Sequence, residues 1–233
     1  MFNGKMKALT FSYDDGVTQD KRLIEIFNKY GLKCTFNLNS ELLGKPGELN
    51  MAGKKIAHNK VQPSEVRGLY EGHEVAVHTL THPKLINCSD DEIVRQVEDD
   101  RIALEEMVGY EIRGMAYPAG SSFVDKRVED VIKDRTKILY ARGTVCSHSF
   151  DIPTYLYHFK PTVYHLDFDK MTELGKEFLS MTPDEPKLFY IWGHTFEMDY
   201  DSLNWHRLEE FFKLISGHDD IFYGTNTEVL LGK

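Results

Sequence analysis

The chain has 233 residues, 41% of them hydrophobic and 28% charged, enough for one α/β domain with a substantial core and unlike a disordered polypeptide. A formal net charge of −9 argues against a nucleic-acid binder, which would need a basic face to neutralise phosphates, and against docking on anionic membranes. Cys34, Cys88 and Cys146 are too scattered for a disulfide framework or a C-x-x-C redox pair.

Met1–Lys7 lacks the apolar stretch of a signal peptide, so the expectation is a cytoplasmic protein. Apolar runs such as Leu188–Trp192 have strand length, not membrane length. No repeat, low-complexity tract or linker interrupts the chain, so residues 1–233 read as a single domain.

In chain order, Lys7–Ser12 reads as a strand running into Tyr13-Asp14-Asp15-Gly16. A helix follows over 19–30, with Leu23, Ile24 and Phe27 on one face and Gly31 as its stop. Cys34–Asn37 is the next strand, and 40–62, rich in Gly, Lys and Asn, reads as a loop or excursion. A short helix at Pro63–Tyr70 precedes the strand Glu74–His78. The helix 90–108 carries the clearest signals: Ser89 and Glu92 spaced as a capping box, an apolar face of Ile93, Val94, Val97, Leu104 and Met107, and Gly109 as stop. Its acidic stretch Glu98-Asp99-Asp100 reads as a solvated face. Strands at Met115–Tyr117 and Ile138–Arg142 bracket a helix at 125–133, and another strand ends near His165. A helix at 170–180, the strand Leu188–Trp192, a helix at 204–216 and a strand at Ile221–Tyr223 complete the series, with Tyr190, Phe211 and Phe212 as core. Repeated strand–helix units imply parallel strands with helices outside, in an open sheet or a closed barrel, and ligands then collect at the carboxyl ends of the strands.

Polar clusters sit just after three of these strands: Asp14-Asp15, His78-Thr79-Leu80-Thr81-His82, and His194. Each alone has an ordinary reading as a turn or a satisfied histidine. Together they supply a metal site, because a catalytic zinc takes three protein ligands and leaves a position for water, and Asp15, His78 and His82 provide one carboxylate and two imidazoles. Both imidazoles must be neutral to bind, so affinity should fall below about pH 6.5, the free imidazole value. Asp14 is then free to act as base on the attacking water, and His194 is the candidate acid for the leaving group.

These motifs resemble the polysaccharide deacetylase family, also called the NodB-homology or carbohydrate esterase family 4 domain. Thr10-Phe11-Ser12-Tyr13-Asp14-Asp15-Gly16 is similar to its first motif with one inserted residue, and His78–His82 matches its second, H-[ST]-x-x-H. Met115–Gly120 and Trp192-Gly193-His194 are similar to its third and fifth. The resemblance implies a distorted (β/α)7-type barrel that removes acetyl groups from an N- or O-acetylated sugar or oligosaccharide. It implies Asp14 as base, His194 as acid, Asp15, His78 and His82 on Zn2+ or another divalent transition metal whose water is the nucleophile, and the Ala119 N–H in the oxyanion hole. Tyr117, Pro118, Ala119 and Trp192 would line the substrate pocket. Two departures stand out. The family's third-motif Arg, partner of the base, is here Ala116, and the Asp-Trp pair of its fourth motif has no counterpart near Ala141–Thr144. Arg142 is the expected substitute for the first, within about 8 Å of Asp14, and Glu197 or Asp199 for the Asp that orients the acid. His165 could line the cleft. Two other readings keep the site: hydrolysis of a small non-sugar amide or ureide, and a carbohydrate-binding pseudoenzyme that retains the metal.

Overall fold

Alternation along the first strand organises the architecture, which is described here from a computed structural model for residues 2–51 and 53–232. The elements are β1 (Lys7–Asp14), α1 (Asp20–Lys29), β2 (Cys34–Leu38), β3 (Glu48–Met51), β4 (Lys54–Ala57), α2 (Val66–Leu69), β5 (Glu74–Val77), α3 (Asp90–Val108) and β6 (Gly114–Ala116). After them come α4 (Lys126–Arg135), β7 (Tyr140–Arg142), β8 (Val163–Tyr164), α5 (Phe168–Ser180), β9 (Lys187–His194), α6 (Asn204–Ile215), β10 (Ile221–Tyr223) and α7 (Asn226–Leu231).

The main sheet is parallel throughout, in the order β7-β6-β5-β2-β1-β9-β8, with β10 beside the start of β1. Its two ends meet through an irregular segment: the Gly143 N–H donates to the Phe159 carbonyl, and the Thr162 N–H donates to the Tyr190 carbonyl of β9. The sheet therefore curls into a distorted (β/α)7-type barrel.

Successive strand residues point to opposite faces. Leu9, Phe11 and Tyr13 turn outward and pack with Leu23, Phe27, Leu208 and Phe212 of the helix layer. The Phe27 ring lies 5.0 Å from that of Phe11 and 4.8 Å from that of Phe212. The alternate positions Ala8, Thr10, Ser12 and Asp14 face the barrel interior, opposite Leu188, Tyr190, Trp192 and His194 of β9. The interior thus runs from an apolar floor, where Phe2 and Val229 of α7 join Ala8 and Leu188, to a charged mouth. Gly114 lies in this interior because the Tyr140 ring fills the place of its side chain; a Cβ there would lie 1.8 Å from the ring.

Several sequence expectations need adjustment. The stretch 40–62 holds an antiparallel hairpin, β3–β4, in which Ile56 is the buried residue. Strands this exposed have no alternating pattern to read. β9 extends to His194, which is its last residue and not a loop residue beyond it. Ser89 caps α3 by accepting from the Glu92 N–H, but the Glu92 carboxylate turns away to Arg95 and Gln96, so the box is half-formed. Asp100 is buried, where the acidic stretch predicted solvation: one face of α3 lies against β5 and the turn after β2. Helix α7 was not anticipated, although Thr225 and Glu228 form a full capping box at its start. Among the described residues, no helix is long and apolar enough to cross a membrane.

Phe27 is the joint between β1 and two helices. Phe27→Ala should lower unfolding free energy by about 3–5 kcal/mol, read from the urea midpoint at constant m-value. A change under about 1 kcal/mol would show that the helix layer does not depend on this ring.

Candidate active site and metal centre

The carboxyl ends of the parallel strands gather at one mouth, and the clusters singled out from sequence lie there. Register does the positioning. Asp14, the last residue of β1, is paired with Asn37 of β2 on one side and with His194 of β9 on the other. Asp15 follows in a left-handed conformation (φ 82°), and Thr79, His82 and Ala119 share that unusual sign of φ. Non-glycine residues held this way cost of order 1–3 kcal/mol each, and such strain concentrates at functional sites.

Asp15, His78 and His82 each present a ligand atom within 4.8 Å of the others. Asp15 Oδ1 is 3.9 Å from His78 Nε2 and 3.8 Å from His82 Nε2. His78 Nδ1 lies 2.8 Å from the Ala116 carbonyl, which can only accept, so Nδ1 carries the proton and Nε2 presents a lone pair. That Nε2 is buried and has no hydrogen-bond partner among the described residues, which suits the donor atom of a metal ligand. Burial lowers the His78 pKa to about 4 and pulls His82 down as well. The His78 imidazole is therefore neutral well below the pH 6.5 threshold expected from free histidine, and His82 is shifted in the same direction. The donor set fits a divalent transition ion.

The loop bearing these histidines is pinned by groups that no motif flagged. Asn39 Nδ2 donates to the carbonyls of His78 (2.6 Å) and Thr79 (2.8 Å). The Leu80 N–H donates to the Gln96 carbonyl, and Asp100 accepts from the N–H groups of Ser40 and His78. Burial raises the Asp100 carboxyl to about 7.

Asp14 is itself buried and hydrogen-bonded through both oxygens. Arg142 Nη2 lies 2.5 and 2.6 Å from its two oxygens, and Asn37 Nδ2 donates to Oδ1 at 2.8 Å. The Arg142 guanidinium, fully buried, also donates to Ser12 Oγ and the Gly143 carbonyl and stacks 4.8 Å over the Trp192 ring. Arg142 is the register partner of Ala116. A positive charge thus reaches Asp14 from the strand next to Ala116. Burial raises the Asp14 pKa, but Arg142, aided by His78 and His194, brings it below the ordinary carboxylate value.

His194 points its Nε2 towards Asp14 Oδ2 at 3.9 Å, with Nδ1 3.1 Å from Glu197 Oε2. The same Glu197 oxygen lies 2.7 Å from His165 Nε2, and Oε1 accepts from the Tyr164 hydroxyl. Asp199 is engaged elsewhere, by Gln19 and Trp205. His165 does not line the cleft. It is fully buried behind Gly193, where a Cβ would meet its ring at 2.2 Å, and its Nδ1 faces the Tyr13 hydroxyl. Burial opposes charge on His194, yet Glu197 and Asp14 outweigh it and raise the pKa to about 9. Glu197, which burial alone would raise, is held well below its usual value by His194 and His165.

Of the four pocket residues, Trp192 packs its ring 5.7 Å from that of His194. Tyr117 is buried and its hydroxyl donates to the Tyr157 carbonyl. Pro118 and Ala119 lie in the turn after β6, the latter left-handed (φ 61°). Two residues from the excursion, His58 and Lys60, reach Asp15 and were not anticipated. A cavity of about 600 Å³ lined by Arg67, Tyr70, His73 and Tyr110 lies at the other end of β5, remote from this chemistry.

A family model described as polysaccharide deacetylase matches residues 2–138. Among solved structures, a putative polysaccharide deacetylase from Mycobacterium smegmatis is 16% identical with a TM-score of 0.68, covering 98% of this chain and 90% of that one. A family 4 carbohydrate esterase from Streptomyces lividans, solved in complex with acetate, is 14% identical with a TM-score of 0.58, covering 95% and 92%. A CE4 family pseudoenzyme from Bacillus anthracis is 20% identical with a TM-score of 0.56, covering 99% and 66%. At these identities the structural likeness speaks for the fold alone.

The Glu197–His194 pair can be read directly. In metal-free protein, Glu197→Gln should bring the His194 pKa from about 9 down towards or below the free value of about 6.5, followed by NMR titration of the ring. Because the folded pKa is raised, the stabilisation from this pair is complete below about pH 6.5 and lost as pH rises through 9. The variant should lose that slope. An unchanged His194 titration would assign its elevation to some other group.

Proposed function

Because the chain belongs to the polysaccharide deacetylase family, we propose that it hydrolyses acetyl groups from an N- or O-acetylated sugar or oligosaccharide, using one divalent transition ion, Zn2+ or a similar one, on Asp15, His78 and His82. The observation that carries this reading is the pairing of a carboxylate and an imidazole, Asp14 and His194, in direct register beside the three-donor cluster. A pure binding site has no need of a base and an acid together.

The ion, when bound, supplies Lewis acidity that polarises the acetyl carbonyl and makes water a better nucleophile. The remaining work falls to the chain. Asp14 accepts the proton of the attacking water, and Arg142 and Asn37 hold its carboxylate anionic and fixed in orientation. A base with so low a pKa is intrinsically weak, so its contribution comes from position more than from basicity. The N–H of Ala119 donates to the developing oxyanion. His194, kept protonated by Glu197, delivers a proton to the departing amine or alkoxide. Trp192 forms the wall against which the acetyl methyl rests.

The pseudoenzyme reading drew its support from the missing third-motif Arg and fourth-motif Asp; the buried Arg142–Asp14 pair and Glu197 beside His194 weigh against it. The small amide or ureide reading retains the same chemistry with a different substrate.

A panel of acetylated chito- and xylo-oligosaccharides, assayed for acetate, tests the proposal. Acetate release should stop after chelation and return with Zn2+ or Co2+, and Asp14→Asn should lower kcat by about 10²- to 10⁴-fold. No acetate from any sugar, with ion bound, would favour the small-amide or binding readings instead.

A further inference from the structure

The excursion between β2 and α2 comes back to the mouth of the barrel. Its last residues run alongside the turn that follows β1: the Thr18 N–H donates to the Asn59 carbonyl (2.8 Å), the Val61 N–H donates to the Gly16 carbonyl (3.0 Å), and Val17 and Lys60 form an antiparallel bridge. This strap is anchored from outside by a small apolar cluster of Val17, Ile56 and Phe196, with Leu49 and Tyr200 against it. Gln19 and Lys54 tie the same hairpin to Asp199 and the helical turn after β9.

Two side chains of the strap close on Asp15. Lys60, buried, donates from Nζ to the Asp15 carbonyl at 2.6 Å, bracing the left-handed backbone that aims the carboxylate inward. His58 Nε2 lies 3.1 Å from Asp15 Oδ2. Since a carboxylate only accepts, that nitrogen carries the proton. The His58 ring is itself fixed edge-on against Phe196, 4.7 Å between centroids, and its backbone N–H donates to the Gly47 carbonyl. With Oδ2 occupied by His58, Asp15 turns its other oxygen, Oδ1, towards His78 and His82.

We infer that His58 is a positioning residue for the metal centre: it holds the Asp15 carboxylate in the rotamer that presents Oδ1 to the ion, and so sets ion affinity without binding the ion. The inference rests on the reading of Asp15, His78 and His82 as ligands. Outer partners of metal ligands act by fixing ligand orientation, and losing one typically weakens affinity about 10- to 100-fold. The strap does for the carboxylate what the Ala116 carbonyl does for His78.

The test is Co2+ affinity of the full chain by competition with a chelator, alongside the visible spectrum of the loaded protein. His58→Ala should weaken Co2+ binding about 10- to 100-fold, with band positions unchanged because the ligands are unchanged. His58→Gln, whose amide NH₂ can reach Asp15 Oδ2, should recover most of the affinity. Asp15→Ala should abolish binding. Unaltered affinity in His58→Ala would overturn the inference while leaving the metal site standing. So would a loss as complete as that of Asp15→Ala, unrescued by Gln and accompanied by a changed spectrum, since His58 would then be a ligand. Wild-type protein that binds no Co2+ would overturn both the inference and the reading on which it rests.

Discussion

The parallel pairing of β1 with β9 over eight residues governs the mouth of this barrel, because it aligns each interior side chain of one strand with an interior side chain of the other. Ala8 meets Leu188 at the floor, Ser12 meets Trp192 higher up, and Asp14 meets His194 at the rim. A slip of one residue would turn Asp14 and His194 out of step and send the phenyl rings of β1 into the interior. The helix layer that grips Phe11 and Tyr13 is what forbids the slip. Packing on the outside of the sheet thus fixes chemistry on the inside.

Charges this deeply buried persist only when compensated, and compensation here is local. Asp14 has Arg142 and Asn37; Glu197 has His194, His165 and Tyr164. Desolvation of such pairs cancels much of their mutual attraction, so their value lies less in stability than in orientation. The two networks lean towards each other across the Asp14–His194 gap of 3.9 Å, one holding a carboxylate anionic, the other an imidazole protonated. Asp15 stands apart from both, steadied from the strap side by His58 and Lys60.

Much of this was legible in the chain itself. The alternating apolar strands, the helix-ending glycines and the polar clusters after strand ends were local patterns, and local patterns survive folding. Arg142 could be nominated only because the family motif lacked its Arg at Ala116; that the two are register partners needed the sheet. Glu197 and Asp199 could not be separated by sequence, since the choice depends on which faces His194 after the turn. His58, Lys60, Asn39 and Asp100 were invisible for a common reason: each acts on a site residue more than twenty positions away, and nothing in its own neighbourhood signals it. The hairpin that carries the strap hid behind exposed, non-alternating strands.

The proposed chemistry requires one ion shared by Asp15, His78 and His82. Anomalous diffraction from crystals grown with Zn2+, recorded on both sides of its absorption edge, tests that claim most directly. A single peak is predicted at about 2.0–2.2 Å from an Asp15 oxygen and from a nitrogen of each of the two histidines. A map with no peak there, or with zinc bound to a different set of side chains, would contradict it.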